Sequence, residues 1–293
     1  MWDLELKTVR QIYLSLVNLF KNASIPDPEI DAAILFHYVL GLTRSDLVIK
    51  SAELVGADEA LKILELANKR LSREPIAYLV GEQDFYGRRF VVNPSVLIPR
   101  PETELIVEKA ISTGKELIDS RQSLTIMDLG TGSGAIAVTL AKELRSSKLF
   151  ALDRSISALQ TAKINAANHG VLHQLEFVAS DWFNAFTPKA SFNIVISNPP
   201  YVAEKIRKDL QKELSFEPAS ALFSGTDGTN DLKKIISNSS PYLAPGGFLF
   251  VEIGYDQKEF VLDFIGKGGF FEDFTVYDDY AGLPRILKAK VKG

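Results

Sequence analysis

LTIMDLGTGSGAIAVTLAKELR, residues 124–145, passes from a short apolar segment through a glycine-rich loop into a helical pattern. The residues at 124–129 suit a buried strand, and the apolar residues after Gly134 recur at helical spacing. Glycines between a strand and a helix allow a tight turn, close approach of a ligand to the backbone, and close packing of the helix on the strand. The stretch therefore predicts the first strand-to-helix unit of an α/β domain, with a ligand at the turn.

The alternation of strand-like and helix-like segments continues through the rest of the chain. Further strands are predicted at 148–152, 175–179, 192–197 and 247–254, and two more at 271–279 and 285–291. Helical patterns separate the earlier strands, at 157–170 and 231–244. This order is typical of a mostly parallel sheet with helices on both faces, in which ligands bind beyond the carboxyl ends of the strands.

The segments before residue 101 have a different pattern, which sets the predicted domain organisation. We expect residues 1–75 to form a helical domain for packing or partner recognition, and residues 101–293 to form the ligand-binding domain. Between them, residues 76–100 contain two aromatic and β-branched runs around Gly87, which predict a connecting β-hairpin. Pro28 suits the first turn of an early helix, and Gly41 suits its end.

Composition limits the classes of function. The chain has 293 residues, 46% of them hydrophobic, and a net charge of −4, which argues mildly against a protein that grips nucleic acid by its phosphates. It has no cysteine, and its three histidines lack metal-ligand spacing, so we expect no metal site. No apolar run approaches the roughly 20 residues that span a bilayer, and the N-terminus resembles no targeting segment. We therefore expect a cytoplasmic protein without membrane contact.

The glycine loop, residues 130–134, has the composition Gly130, Thr131, Gly132, Ser133 and Gly134. Taken alone it fits two cofactors about equally, because Gly130 and Gly132 with the alanine at 135 also match a dinucleotide fingerprint. The alternatives are therefore a nicotinamide or flavin enzyme, an S-adenosylmethionine enzyme, and a turn with a purely structural role.

Two further positions extend the predicted cofactor site. Asp153 ends the second strand about 20 residues after the loop, where a carboxylate can accept hydrogen bonds from ribose hydroxyls. Asp181 and Trp182 follow the third strand, and an acceptor beside an indole suits an adenine ring. Both cofactors contain these groups, and each position could instead have a structural role, Asp153 as a helix cap and Trp182 as a buried loop residue.

The sequence SNPPY at 197–201 separates the alternatives. Here the Asn198 side-chain oxygen and the Pro199 carbonyl can accept both hydrogens of one planar NH₂ group, while Pro200 stiffens the chain and Tyr201 packs on the plane of that group. Holding such a nitrogen toward an electrophile favours direct methyl transfer, whereas hydride transfer has no use for this arrangement. We include Asn198 in the cofactor site as well, because the methyl group lies in the adjacent pocket.

The glycine loop followed by NPPY resembles the S-adenosylmethionine-dependent amino methyltransferases, in which [ND]PP[YFW] binds the target amine. More specific segments are similar to the peptide chain release factor glutamine N5-methyltransferases of the HemK/PrmC type. These segments are REPIAYLVGEQDFYGRRF (73–90), LIPRPETE (97–104), NPPYV (198–202), FEPASALFSGTDG (216–228) and LFVEIGYDQ (249–257). The match runs from about Arg73 to the end of the chain, and it departs from the family pattern at Thr229, where an apolar residue is usual.

This resemblance implies a class I, Rossmann-like methyltransferase fold with a seven-stranded sheet, preceded by an N-terminal helical domain and a connecting hairpin. It implies S-adenosylmethionine as cofactor, held by residues 130–134, Asp153 and Trp182, with residues 198–201 holding the glutamine of a release factor GGQ loop. We expect a monomer that binds release factors and no nucleic acid. Rival hypotheses are methylation of a ribosomal-protein glutamine, adenine N6 methylation of nucleic acid, and a catalytically silent binding module.

Overall fold

The computed structural model describes residues 7–120 and 123–292, which form two compact units. The first unit contains residues up to Gly81 together with the short segment 211–216, and the second contains the remainder. Residues 1–6, on which the expectation about targeting partly rests, lie outside the described residues. So does residue 293, the last of the expected catalytic domain.

The first unit is helical. Its helices are α1 (Val9–Asn22), α2 (Pro28–Leu40), α3 (Arg44–Ile49), α4 (Ala57–Leu71) and α5 (Ile76–Val80). Proline occupies the first turn of α2, and Gly41 ends that helix with φ +68°, a left-handed conformation that favours glycine. Side chains such as Leu16, Phe20, Phe36 and Ile63 form its apolar core.

The segment 211–216 joins the first unit through a buried cluster of charges. Arg70, only 5% exposed, donates from Nε to Asp31 at 2.7 Å and from Nη1 to Glu213 at 3.0 Å. Arg73 also donates to Glu213, at 3.3 Å. Because an unpaired buried charge is strongly destabilising, Glu213 completes the surroundings of Arg70.

A two-stranded hairpin opens the second unit. Strand β1 (Glu82–Phe85) pairs antiparallel with β2 (Arg88–Val91), and the turn between them is Tyr86-Gly87. Both turn residues have positive φ, which matches the right-handed twist of a hairpin. The hairpin thus lies where the sequence predicts it. The rest of the interval 76–100 is different: its first residues form α5, and residues 92–100 form neither helix nor strand.

The main sheet of the second unit has seven strands. They are β3 (Leu124–Leu129), β4 (Ser147–Asp153), β5 (Leu175–Ala179), β6 (Phe192–Ser197), β7 (Leu243–Glu252), β8 (Asp273–Asp278) and β9 (Pro284–Lys290). Their spatial order is β5-β4-β3-β6-β7-β9-β8; the first five are parallel, and β9 is antiparallel to both of its neighbours. This confirms the predicted α/β fold with a seven-stranded, mostly parallel sheet.

Helices cover both faces of this sheet, as the sequence predicts. The helices of the second unit are α6 (Thr103–Ser120), α7 (Ala135–Glu143), α8 (Ile156–Asn168), α9 (Ala219–Leu222), α10 (Asn230–Ser239) and α11 (Lys258–Gly268), and all but α9 pack on the sheet. Successive strand residues alternate between faces, so Ile194 packs with α6, α7 and α8 while Val195 packs with α10 and α11. The two apolar layers hold the strands rigidly, and the strand ends can therefore position a site.

Within residues 7–120 and 123–292, none of the helices combines the length and the apolarity that crossing a bilayer requires.

Candidate active site

A cavity opens at the carboxyl ends of the central strands. It has an empty volume of about 1100 Å³, including space that is open to solvent. Most of the residues predicted from sequence line it: Gly130, Thr131, Gly132, Ser133, Asp153, Asp181, Trp182, Asn198 and Pro200. Gly134, Pro199 and Tyr201, although described, are not among the lining residues. The carboxyl ends of the five parallel strands lie at this edge, and residues that follow four of them, far apart in sequence, therefore meet at the cavity.

The glycine loop is held by backbone hydrogen bonds to the neighbouring strand. The amides of Gly130 and Thr131 both donate to the Leu152 carbonyl at 2.8 Å, and the Gly132 amide donates to Asp153 Oδ2 at 3.0 Å. Gly134 has φ +81°, and a Cβ at this position would lie 3.0 Å from the Ala162 side chain. The loop therefore needs glycine both for its conformation and for the close approach of α8.

Asn165 of α8 also holds the glycine loop, and its role was not predicted from the sequence. This fully buried side chain donates to the Ser133 carbonyl at 2.8 Å. It also exchanges hydrogen bonds with both backbone groups of Val91 in the hairpin, at 2.7 and 2.9 Å. One amide thus joins the hairpin to the glycine loop.

Asp128, at the end of β3, lies beneath the loop and is fully buried. The Thr131 hydroxyl donates to its Oδ2 at 2.7 Å. Burial raises the pKa of the Asp128 carboxyl to about 7, although the hydrogen bond from Thr131 opposes that rise. Since this carboxyl is not among the residues that line the cavity, we assign it to the support of the loop.

Asp153 lines the cavity while also organising its surroundings. Its Oδ2 accepts from Gly132, and its Oδ1 accepts from the Ser155 amide at 2.8 Å. The helix cap of α8 is Ser155, whose hydroxyl accepts from the Ala158 amide. Each carboxylate oxygen has a second lone pair, so Asp153 keeps acceptor capacity toward a ligand.

Trp182 is positioned by an acidic residue that sequence reasoning missed. Its indole Nε1 donates to Asp231 Oδ1 at 3.2 Å, and Asp231 also accepts from the Ser224 hydroxyl at 2.7 Å. Trp182 adopts φ +50°, and a Cβ added at Gly130 would lie 3.5 Å from its ring. Asp231 lies in the first turn of α10 and lines the cavity, and its place after the glycines of 225–228 is the signal that could have identified it.

Asn198 reaches the cavity from the end of β6. Its Nδ2 donates to the hydroxyl of Thr103 at 2.9 Å, and its Oδ1 accepts no hydrogen bond from the described residues. The preceding Ser197 hydroxyl donates to the Leu129 carbonyl at 2.7 Å and ties β6 to β3. Thr103 lies in the segment LIPRPETE, and its role was not predicted from sequence.

Tyr201 is directed away from the cavity in this structure. Its hydroxyl donates to Glu252 Oε1 at 3.3 Å, and Glu252, at the end of β7, is fully buried. Burial and the charge of Glu252 raise the pKa of Tyr201. Burial likewise raises the pKa of Glu252 to about 7, while Thr103, the charge of Arg285 and the hydrogen bond from Tyr201 oppose that rise. Packing of Tyr201 on a substrate amide stays a prediction.

Four of the segments quoted for the family resemblance, 97–104, 198–202, 216–228 and 249–257, contact one another around residues 198–201. Glu217 accepts hydrogen bonds from the Arg100 guanidinium and, at 3.0 Å, from the Ile98 amide. Gln257 donates from Nε2 to the carbonyls of Tyr201 and Gly228, at 3.2 and 3.1 Å. Arg100 is therefore paired with Glu217, and the two prolines that flank Arg100 restrict its backbone.

Thr229 is the departure from the family pattern. Its side chain is buried, yet its hydroxyl donates to Asp227 Oδ1 at 2.8 Å, so the polar atom has a partner. The backbone amide of Thr229 donates to the same oxygen. A local turn thus accommodates the hydroxyl, and the cavity is unaffected.

Among the described residues, no group of three or more histidine, aspartate or glutamate side chains is arranged to hold a metal ion.

Known proteins resemble this chain over nearly its whole length. A model of the methyltransferase small domain matches residues 115–229, and a model of the PrmC N-terminal domain matches residues 11–81. The release factor glutamine methyltransferase of Burkholderia pseudomallei strain K96243 is 39% identical over 274 residues, covering 92% of this chain and 94% of that protein. The protein of the same name from Koribacter versatilis strain Ellin345 is 37% identical over 281 residues, covering 96% and 97%.

Among solved structures, the catalytic domain of hMettl16 in complex with the MAT2A 3′UTR hairpin 6 superposes with a TM-score of 0.53 at 14% identity. The match covers 83% of this chain and 86% of that chain. At this identity the likeness concerns the fold alone.

Proposed function

The chain belongs to the release factor glutamine methyltransferases, and from this premise we propose that it methylates the side-chain amide nitrogen, N5, of the glutamine in the GGQ loop of release factors. That amide is the only nitrogen of a glutamine side chain, so it is the methyl acceptor. The observation that carries the proposal is Asn198, whose oxygen lies at a cavity beside the glycine loop and accepts no hydrogen bond from residues 7–120 or 123–292.

The family uses S-adenosylmethionine, and the cavity fits it. Gly130 and Gly132 have positive φ, a backbone conformation in which residues with a side chain would be strained. Their backbone therefore lines the cavity without a side chain in the way. Asp153 offers acceptors for ribose hydroxyls, and Trp182 offers an aromatic surface for adenine. When bound, this cofactor supplies an electrophilic methyl group on a sulfonium.

Residues 198–201 act on the acceptor. The Asn198 oxygen accepts one hydrogen of the substrate amide, and the Pro199 carbonyl accepts the other. An amide nitrogen is a poor nucleophile because its lone pair is delocalised into the carbonyl group. Two acceptors orient the nitrogen and stabilise the positive charge that develops on it, so the chain contributes positioning and fixed dipoles.

No side chain is assigned as a base in this proposal. A methylated amide nitrogen that carries an extra proton is strongly acidic and releases that proton to water. We further propose that the enzyme acts as a cytoplasmic monomer whose helical unit recognises the release factor, and that it binds no nucleic acid. We assign residues 101–293 to catalysis and 76–100 to the connection.

The test is incubation of the enzyme with labelled S-adenosylmethionine and purified release factor, beside a release factor whose GGQ glutamine is replaced. Peptide mass mapping should find one methyl group on that glutamine and none in the replaced protein. Label on a ribosomal protein or on nucleic acid, with none on the release factor, would overturn the substrate and favour one of the rival hypotheses. Binding of cofactor without transfer to any of these would indicate a silent binding module.

A further inference from the structure

The two ends of an asparagine carboxamide have nearly the same shape but opposite hydrogen-bonding character. One end accepts hydrogen bonds, and the other donates them. If the Asn198 carboxamide turned over, its NH₂ would face the NH₂ of the substrate, two donors would oppose each other, and the acceptor that the reaction needs would be lost. Something must therefore hold Asn198 in one orientation.

Thr103 contacts the end of Asn198 that does not face the substrate. Its hydroxyl oxygen accepts from Asn198 Nδ2 at 2.9 Å. Thr103 is itself 4% exposed and lies at the start of α6, where its backbone amide donates to the Arg100 carbonyl at 3.1 Å. The hydroxyl is thus held in place by a helix start and by its burial.

The surroundings of Thr103 also bear on the direction of this hydrogen bond. A hydroxyl has one proton, and Thr103 interacts with the buried Glu252 carboxyl closely enough to lower the pKa of that carboxyl. With its proton directed toward Glu252, Thr103 would present only lone pairs to Asn198. The Tyr201 hydroxyl donates to Glu252 at 3.3 Å, and the charges of Arg285 and Glu102 also act on that carboxyl.

We propose that Thr103 is a positioning residue for methyl transfer: its hydroxyl accepts from Asn198 Nδ2 and so keeps Asn198 Oδ1 directed at the substrate amide. This inference rests on the proposed function. The hydrogen bond between Thr103 and Asn198 brings together the start of α6 and the end of β6.

The test compares Thr103→Val, which keeps the shape but removes the hydroxyl, with Thr103→Ser, which keeps the hydroxyl. We expect Thr103→Val to lower kcat by about 10- to 100-fold, since one oriented hydrogen bond in the reacting complex is lost. Its KM for the release factor and its affinity for S-adenosylmethionine by calorimetry should stay within about threefold, because the helical unit is proposed to recognise the release factor and residues 130–134, Asp153 and Trp182 to hold the cofactor. Thr103→Ser should restore kcat to within about threefold of the original.

Thr113→Val is the matched control. Thr113 is a buried threonine of the same helix whose hydroxyl accepts from Lys288 Nζ at 2.9 Å, and it does not line the cavity. This variant should keep kcat.

Other results of these measurements would overturn the positioning role of Thr103 or the proposed function. An unchanged kcat in Thr103→Val, equal losses in the valine and serine variants, or a loss of cofactor affinity that matches the loss of kcat would each overturn the positioning role. If the unaltered enzyme transfers no methyl group to a release factor, the proposed function fails instead.

Discussion

At the scale of the residue, the candidate site combines side chains that follow strand ends with a threonine from a distant segment. Asp153, Trp182 and Asn198 follow successive strands of a parallel sheet, so the rule for strand ends brings them to one cavity. Thr103 lies 95 positions before Asn198, and no local pattern links the two. Its segment, LIPRPETE, contributed to the family resemblance, but no role was predicted for Thr103 within it.

Asn198→Ala tests the role of that residue directly. Because the acceptor for the substrate amide is removed while the cofactor site is kept, we expect turnover to fall at least about 100-fold. The affinity for S-adenosylmethionine, measured by isothermal titration calorimetry, should change little. Asn238→Ala is the control, since Asn238 is exposed on α10 and bonds only within its own helix. A loss of cofactor affinity as large as the loss of turnover would show that Asn198 mainly supports the cofactor.

At the scale of the element, periodicity located all seven strands of the sheet, but it did not identify α3, α5, α9 or α11. The first three are short, with six, five and four residues, and α11 follows a loop without a strong start signal. Strand β7 begins at Leu243, inside a stretch interpreted as helical, because pairing with β6 overrides the local pattern there. Local signals thus predict elements well and their ends less well.

Gly228 shows how one element depends on another. It has φ +77°, and a Cβ at this position would lie 2.3 Å from the Tyr201 carbonyl oxygen. Gly228→Ala must therefore displace residues 198–201, and we expect kcat to fall at least about tenfold, as for other small misplacements of a reacting group. Gly282 has φ +78° with nothing within 4 Å of an added Cβ.

Gly282→Ala is consequently the control. It introduces similar backbone strain, but its added methyl group meets no neighbouring atom, unlike that of Gly228→Ala. It should lower the free energy of unfolding by roughly 1 kcal/mol and leave kcat intact. Steady-state kinetics and urea unfolding on both variants separate the two effects. Equal kcat values for the two alanine variants would contradict the link between Gly228 and the site.

At the scale of the whole molecule, the fold keeps two fully buried carboxyl groups, Asp128 and Glu252. Burial raises their pKa to about 7, from ordinary values of 3.8 and 4.5. Between the ordinary values and pH 7, the folded protein therefore retains protons that the unfolded chain has released. Such groups stabilise the fold fully below their ordinary pKa, and that contribution is lost as the pH rises through 7.

We therefore expect the free energy of unfolding to fall when the pH is raised from 5 to 8. Asp128→Asn and Glu252→Gln should each reduce this fall, by an amount on the order of 2 kcal/mol, in urea unfolding at several pH values. Glu65→Gln is the control. Hydrogen bonds from Lys62 and Lys69 lower the pKa of this exposed carboxyl, so it titrates below the pH range of 5 to 8 that the experiment covers. A fall of the same size in all three variants would argue against buried acids as its cause.

Which residues make up each compact unit could not have been predicted from the sequence. Segment 211–216 groups with the helices before residue 82, whereas its neighbours on both sides belong to the second unit. The connection depends on Glu213 meeting Arg70, and a charge pair separated by 143 positions leaves no local signal.

Because segment 211–216 belongs to the first unit, that unit is completed only late in synthesis. The ribosome releases the helices of the first unit early, but Glu213 is added only after more than half of the second unit's sequence has been translated. Until then, Arg70 in a nascent chain has Asp31 but lacks the second carboxylate that the finished protein provides. The unit that is synthesised first is therefore completed late, and its final stability depends on elongation through residue 216.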